Sequence, residues 1–136
     1  MSDGKLVGIV LVSHSAEVAA SVAELAKSLA GGDTAVPVAP AGGTAGGGVG
    51  TSAELISAAA AAVDRGVGVA VLTDLGSAVL TVKALLAEGD ELPDGARLVD
   101  APFLEGAVAA VVTAATGADL DSVEAAAGEA YSYRKA

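Results

Sequence analysis

Apolar residues fall along this chain in two alternating textures: short unbroken runs, and longer stretches in which they recur every three or four positions. Leu6–Val12 is a continuous apolar run, the pattern of a strand buried on both faces. Ser13-His14-Ser15 reads as a turn, and the spacing then predicts a helix over Ala16–Leu29, with Val18, Val22, Leu25 and Leu29 on one stripe. Gly31-Gly32-Asp33 ends it. Thr34–Ala39 reads as a second strand, placed at a sheet edge by Pro37. Thr51-Ser52-Ala53-Glu54 reads as a capping box, with Thr51 as the cap and Glu54 reaching back, opening a helix over Ser52–Asp64. Gly68–Thr73 is a third strand, Ser77–Ala87 a helix, and Arg97–Asp100 a fourth strand. Helices over Leu104–Thr116 and Leu120–Glu129 complete the chain.

Strand and helix alternate four times, which predicts an α/β domain: an open, mostly parallel sheet with helices on both faces. Right-handed crossovers leave few topologies, and the common strand order is 2-1-3-4. No repeat and no inter-domain linker interrupts the pattern, so residues 1–136 read as a single domain.

In such a sheet, ligands bind beyond the carboxyl ends of the strands, where strand order reverses. With order 2-1-3-4 that crevice lies between the first and third strands. His14, the single histidine, follows the first strand, and Asp74 follows the third. The two face each other across sixty positions of chain. Imidazole is a nucleophile near neutral pH, and a carboxylate on one ring nitrogen fixes the tautomer and leaves the other nitrogen free to attack. The pair therefore suits a phosphoryl carrier. Standing alone, His14 reads more often as a capping or hydrogen-bonded structural histidine, and Asp74 as an acid at a helix N-terminus. Gly76 allows close backbone approach, and Ser77 reads as the cap of the following helix, whose N–H groups would face phosphate oxygens. Ser13 and Ser15 read as caps or as ligand contacts on the other side.

Composition narrows the chemistry. The net charge of −10 excludes nucleic acid and anionic membrane as natural partners. The absence of cysteine removes disulfides and thiolate chemistry, and a single histidine argues against a metal centre. Aromatic residues are 2% of the chain, so the core is built from Val, Leu, Ile and Ala. The N-terminus, Met1-Ser2-Asp3-Gly4-Lys5, lacks a signal-peptide pattern, and no apolar run is long enough to span a bilayer. The expectation is a soluble, cytoplasmic domain. The glycine-rich stretch Pro40–Gly50 is not a phosphate loop, because Val49 stands where a Walker motif needs Lys. It reads equally as a surface loop or as one that closes over a docked partner. None of the seven basic residues falls in the SHS or DLGS segments. Phosphoryl transfer to a small molecule needs cations on the equatorial oxygens, so the expected role is a relay whose partners supply them.

Five segments carry a family likeness: GIVLVSHSAEVA (Gly8–Ala19), GGT (Gly42–Thr44), GTSAELI (Gly50–Ile56), TDLGSA (Thr73–Ala78) and DAPFLEGAVAA (Asp100–Ala110). In these the chain resembles the DhaM family, the phosphotransferase subunits of phosphoenolpyruvate-dependent dihydroxyacetone kinase. It resembles more distantly the mannose-type IIA domains of the bacterial phosphotransferase system, which carry GGSP in place of GSA. The resemblance implies that His14 is phosphorylated on Nε2 with Asp74 on the other nitrogen. Ser13, Ser15, Gly43, Thr44, Gly76 and Ser77 are then the phosphate- or partner-binding positions. It also implies a phosphoenolpyruvate–glycerone phosphotransferase, in which enzyme I and HPr supply the phosphoryl group. The acceptor would be ADP held with Mg²⁺ on a DhaL subunit, and the final acceptor dihydroxyacetone on DhaK. No cofactor would be bound by this chain directly. A homodimer and an antiparallel edge strand late in the fold are further implications. Some relatives carry fused HPr and enzyme I domains, and this chain reads as too short for them. Its longer Gly46-Gly47-Gly48 run departs from the pattern. Two alternatives stand beside this reading: a mannose-type IIA carrier feeding a sugar transporter, and a regulatory module that signals by histidine phosphorylation.

Overall fold

A computed structural model describes residues 4–136; Met1-Ser2-Asp3, part of the segment read above for targeting signals, lies outside them. The elements run β1 (Gly8–Ser13), α1 (Ala16–Leu29), β2 (Val38–Gly42), α2 (Ala53–Val63), β3 (Val69–Thr73), α3 (Gly76–Glu88), β4 (Ala96–Leu98), α4 (Phe103–Ala115) and α5 (Leu120–Glu129). A short 3₁₀ turn, Ala130–Ser132, follows α5. The four strands form one sheet in the order β2-β1-β3-β4, every pair parallel.

The unbroken apolar runs become the two central strands, and β1 and β3 are buried along their whole length. Alternate side chains serve opposite layers. Ile9, Leu11, Ala70 and Leu72 join the core under α1, α4 and α5, while Val10, Val12, Val69 and Val71 join the core under α2 and α3.

Five sequence expectations shift. Helix α1 buries Ala19, Ala23 and Ala26, and the larger Val18, Leu25 and Leu29 remain exposed. The small face lets the helix lie close to the sheet, which outweighs burial of the bulkier stripe. Strand β2 is Val38–Gly42 rather than Thr34–Ala39, and it is the edge strand. Pro37 precedes it and its carbonyl accepts from Ile9 N at 2.9 Å. Ladder bonding toward β1 continues through Gly43 N, which donates to Ser13 O at 3.0 Å. In a parallel ladder alternate residues donate to the same neighbour, so Pro40, out of phase with Gly43, has its missing N–H on the free edge. The cap of α2 is Ser52, accepting from Leu55 N at 3.2 Å, and not Thr51. Strand β4 is only Ala96–Leu98. Among the described residues no antiparallel strand joins the sheet. The β4 side is instead tied to α5 by Arg97, whose guanidinium donates to Asp121 and Glu124, both at 2.7 Å.

Close packing of β2 on α1 depends on Gly42. A Cβ there would stand 2.4 Å from Ser15 O and 2.7 Å from Ala16 Cα, both backbone atoms that carry the His14 turn. Gly42→Ala is expected to destabilise the fold by about 1–3 kcal/mol through overpacking. Gly46→Ala, where a Cβ meets nothing within 4 Å, is expected to leave the free energy of unfolding within about 0.5 kcal/mol of the parent. Urea titration of both variants checks the contrast.

Candidate functional site

The strand order reverses between β1 and β3, and the chain leaves both strands at the same end of the sheet. Asp74 N donates to Val12 O at 3.1 Å, so the residue after β3 stays in register with the last residues of β1. That single backbone bond sets Asp74 against the Ser13-His14 turn.

The Asp74 carboxylate accepts four hydrogen bonds. Its Oδ2 takes Ser13 Oγ–H at 2.9 Å and His14 N–H at 3.0 Å. Its Oδ1 takes the His14 Nδ1–H at 2.9 Å and Leu75 N–H at 2.7 Å. A carboxylate can only accept here, so Nδ1 carries a proton and, in the neutral ring, Nε2 holds the lone pair. The side chains of His14 and Asp74 are 20% and 16% exposed, enough for a macromolecular partner to reach the ring edge. Burial pushes the Asp74 carboxyl upward. The bonds from His14 N–H, the His14 ring, Ser13 and Leu75 N–H outweigh it, and the net effect holds the carboxyl below its ordinary value.

Around Nε2 the structure distributes the expected site residues unequally. Ser77 is not the cap of α3: Leu75 occupies that position with no side-chain bond, and Ser77 lies in the first turn with its hydroxyl against Nε2. Gly76 is exposed, and a Cβ there would meet nothing within 4 Å, so no crowding demands a glycine. The first N–H groups of α3 have no intrahelical acceptor and stand beside the histidine. Ser15 is the cap of α1, its Oγ accepting from Val18 N at 3.2 Å. Ser13 is 1% exposed, gives its one hydroxyl hydrogen to Asp74 and accepts from Ser15 N, so it holds the turn and has no hydrogen left for a phosphate oxygen.

The glycine-rich segment folds back on itself. Thr44 N donates to Gly48 O, Gly47 N donates to Thr44 O, and the Thr44 hydroxyl accepts from Gly48 N, all at 2.9–3.0 Å. Thr44 is thus turned into its own loop, while Gly43 is buried against Ser13 O. The far end of the loop returns to the site, where Gly50 N donates to His14 O at 3.0 Å. Gly50 was not named as a site residue from the sequence, and its signals there are its place before Thr51-Ser52 and at the head of the GTSAELI segment. Lys83 was also missed. It stands two turns along α3 from Gly76 and lines a cavity of about 350 Å³ with Asp74, Gly76, Asp100 and Tyr131. Tyr131 closes one side by donating to Asp100 at 2.7 Å.

A doubly anchored imidazole at the switch point of a parallel sheet defines a class that comparison with known proteins makes specific. Residues 8–124 match the EIIA-man family model, described as the PTS system fructose IIA component, and the chain belongs to that family. Within it the chain groups with the DhaM phosphoryl donor subunits of PEP-dependent dihydroxyacetone kinase. It is 36% identical to the Escherichia coli (strain K12) subunit over 120 residues, covering 87% of this chain and 25% of that protein. It is 35% identical to a second-kinase DhaM of Listeria innocua over 108 residues, covering 79% of this chain and 85% of that one. The chain thus spans a quarter of the Escherichia coli relative and most of the Listeria one. A crystal structure of a protein of unknown function, EF1359, superposes with a TM-score of 0.77 at 29% identity, over 91% of this chain and 95% of that one. Among the described residues no helix is long and apolar enough to cross a membrane.

Proposed function

We propose that this chain is the phosphohistidine carrier of a phosphoenolpyruvate-dependent dihydroxyacetone kinase. His14 accepts a phosphoryl group from HPr on Nε2. The carrier then passes the group to ADP bound with Mg²⁺ on a DhaL subunit, and the ATP formed phosphorylates dihydroxyacetone on DhaK. The names of the relatives support the pathway. The observation that carries the role of His14 is the bond from its Nδ1–H to Asp74, which leaves Nε2 on the open side of the ring.

The step needs no proton transfer at the carrier. The Nε2 lone pair attacks phosphorus, the donor's N–P bond breaks, and the new Nε2–P bond forms with Nδ1–H retained. The ring becomes cationic, and Asp74, held as a carboxylate, stabilises it. Ser77 rotates from Nε2 and donates to a phosphoryl oxygen, and the free N–H groups at the start of α3 take another. In transfer to ADP the terminal phosphate oxygen of ADP attacks phosphorus, the Nε2–P bond breaks and its electron pair returns to Nε2, while Mg²⁺ on the partner subunit would neutralise the ADP and phosphoryl oxygens. The protein acts as a single domain over residues 1–136 and as a cytoplasmic homodimer, as the family likeness implies.

Incubation with phosphoenolpyruvate, enzyme I, HPr, DhaL with bound ADP, DhaK and dihydroxyacetone tests the assignment. Dihydroxyacetone phosphate is expected only when this chain is present. Turnover at the same rate in its absence would overturn the role.

A further inference from the structure

We infer that Thr81 and Thr51 form a hydroxyl clasp that positions the ring of contacts around Nε2 of His14. The inference rests on the reading of His14 as the phosphoryl acceptor and adds positioning residues to it. Thr81 lies on α3 one turn after Ser77, and its hydroxyl donates to Ser77 O at 3.1 Å. That bond uses the one hydrogen it has. Thr81 Oγ1 also stands 3.0 Å from Thr51 Oγ1, thirty residues earlier in the chain, so Thr51 is the donor and Thr81 the acceptor. The direction of both bonds is thereby set.

Followed onward, the bonds close a circuit. Thr51 continues from Gly50, whose N–H donates to His14 O. His14 meets Ser77 through Nε2, and Ser77 is held from behind by Thr81. Gly50 has φ +141°, a region L side chains avoid, and a Cβ there would stand 3.0 Å from Thr44 Cγ2. The folded glycine loop therefore sets where Thr51 starts, and Thr51 can reach α3 only from that position. The clasp ties the loop before α2 to α3, and the His14–Ser77 and Gly50–His14 bonds complete the circuit through the histidine turn.

The geometry explains a requirement of the transfer. Ser77 Oγ occupies the lone pair that must attack phosphorus, so the hydroxyl has to swing aside and return as a donor to the phosphoryl group. A helix turn fixed by Thr81 confines that movement to one side-chain rotation. Without the clasp the bond between Thr51 and α3 is lost, and the hydroxyl and N–H donors lose precision in their common aim on the transferring group. Thr81 is a positioning residue and does not touch the phosphoryl group.

Thr81→Val keeps the shape and removes both bonds; Thr81→Ser keeps both. With phosphorylated HPr as donor, Thr81→Val is expected to lower kcat for phosphoryl acceptance about tenfold, the scale of one lost net hydrogen bond, with KM unchanged. Thr81→Ser is expected to restore it. The ¹⁵N resonance of His14 Nε2 in the unphosphorylated protein should shift in Thr81→Val, while that of Nδ1, held by Asp74, should not. A rise in KM alone, or no recovery in Thr81→Ser, overturns the clasp. So does an unchanged Nε2 resonance. If phosphorylated HPr fails to modify even the unsubstituted protein, the carrier reading falls, and the Nε2 resonance still decides whether the clasp orders the ring.

Discussion

Replacing His14 with alanine is expected to stop phosphoryl flow completely. The chain contains one histidine, so no second imidazole can take over. The neighbouring hydroxyls are poor substitutes. Ser13 is buried and bonded to Asp74, Ser15 caps α1, and Ser77 has no base but the ring that the variant lacks. The fold should survive the change. The two bonds by which residue 14 anchors its surroundings through the main chain, N–H to Asp74 and C=O from Gly50 N, remain available to alanine. Dihydroxyacetone phosphate formation in the reconstituted mixture should fall to the level seen without the chain, with the circular dichroism spectrum unchanged. Wild-type turnover from a folded His14→Ala protein would remove the histidine from the account.

Asp74→Asn should damage both rate and stability, because the carboxylate has two jobs. As the partner of Nδ1 it holds the tautomer and offsets the positive charge of the phosphorylated ring. Loss of a charge-assisted hydrogen bond predicts a fall of roughly 10- to 100-fold in phosphoryl acceptance. As an anchor it accepts from Ser13, His14 N–H, the ring and Leu75 N–H. An asparagine has one accepting oxygen, so either orientation of its amide turns an NH₂ toward two of these donors. Leaving such donors unpaired destabilises by about 1–3 kcal/mol. The two effects separate with pH. Because the folded Asp74 is held below its ordinary value of 3.8, its contribution is complete above that value. It is lost as pH falls through the lower folded value. The gap in stability between the parent and Asp74→Asn should therefore be full near neutrality, begin to narrow as pH falls toward the ordinary value of 3.8, and close only below the lower folded value. Denaturant midpoints across that range measure it, and a gap independent of pH would mean that the charge on Asp74 does not stabilise the fold.

The site was legible where it depends on topology. Continuous apolar runs marked β1 and β3, alternation set a parallel sheet, and the reversal rule brought His14 and Asp74 together before any distance was known. The details that escaped depend on atoms that pattern does not record. Side-chain size decided α1, where three alanines displaced Val18, Leu25 and Leu29 from the core. Ladder phase decided β2, where Pro40 is tolerated because its nitrogen falls on the free edge. Capping moved by one residue at α2, because Ser52 and Thr51 are chemically equivalent in sequence and only the approach of α3 draws Thr51 away to Thr81. The glycine loop was the least legible. Its composition left open a surface loop or one that closes over a partner, and the structure instead bonds Thr44, Gly47 and Gly48 to one another and ties Gly43 and Gly50 to the histidine turn. Lys83 escaped because it lies outside the DLGS segment and reaches the neighbouring cavity only through helical periodicity along α3.

The central claim is that the phosphoryl group travels on Nε2 of His14. Phosphorylating the ¹⁵N-labelled protein with phosphoenolpyruvate, enzyme I and HPr, and reading ³¹P–¹⁵N coupling by NMR, tests it directly. The account predicts one phosphoramidate, coupled to Nε2 of His14, stable in base and lost in acid. An acid-stable phosphate on Ser13 or Ser15, or coupling to Nδ1 in place of Nε2, would contradict it.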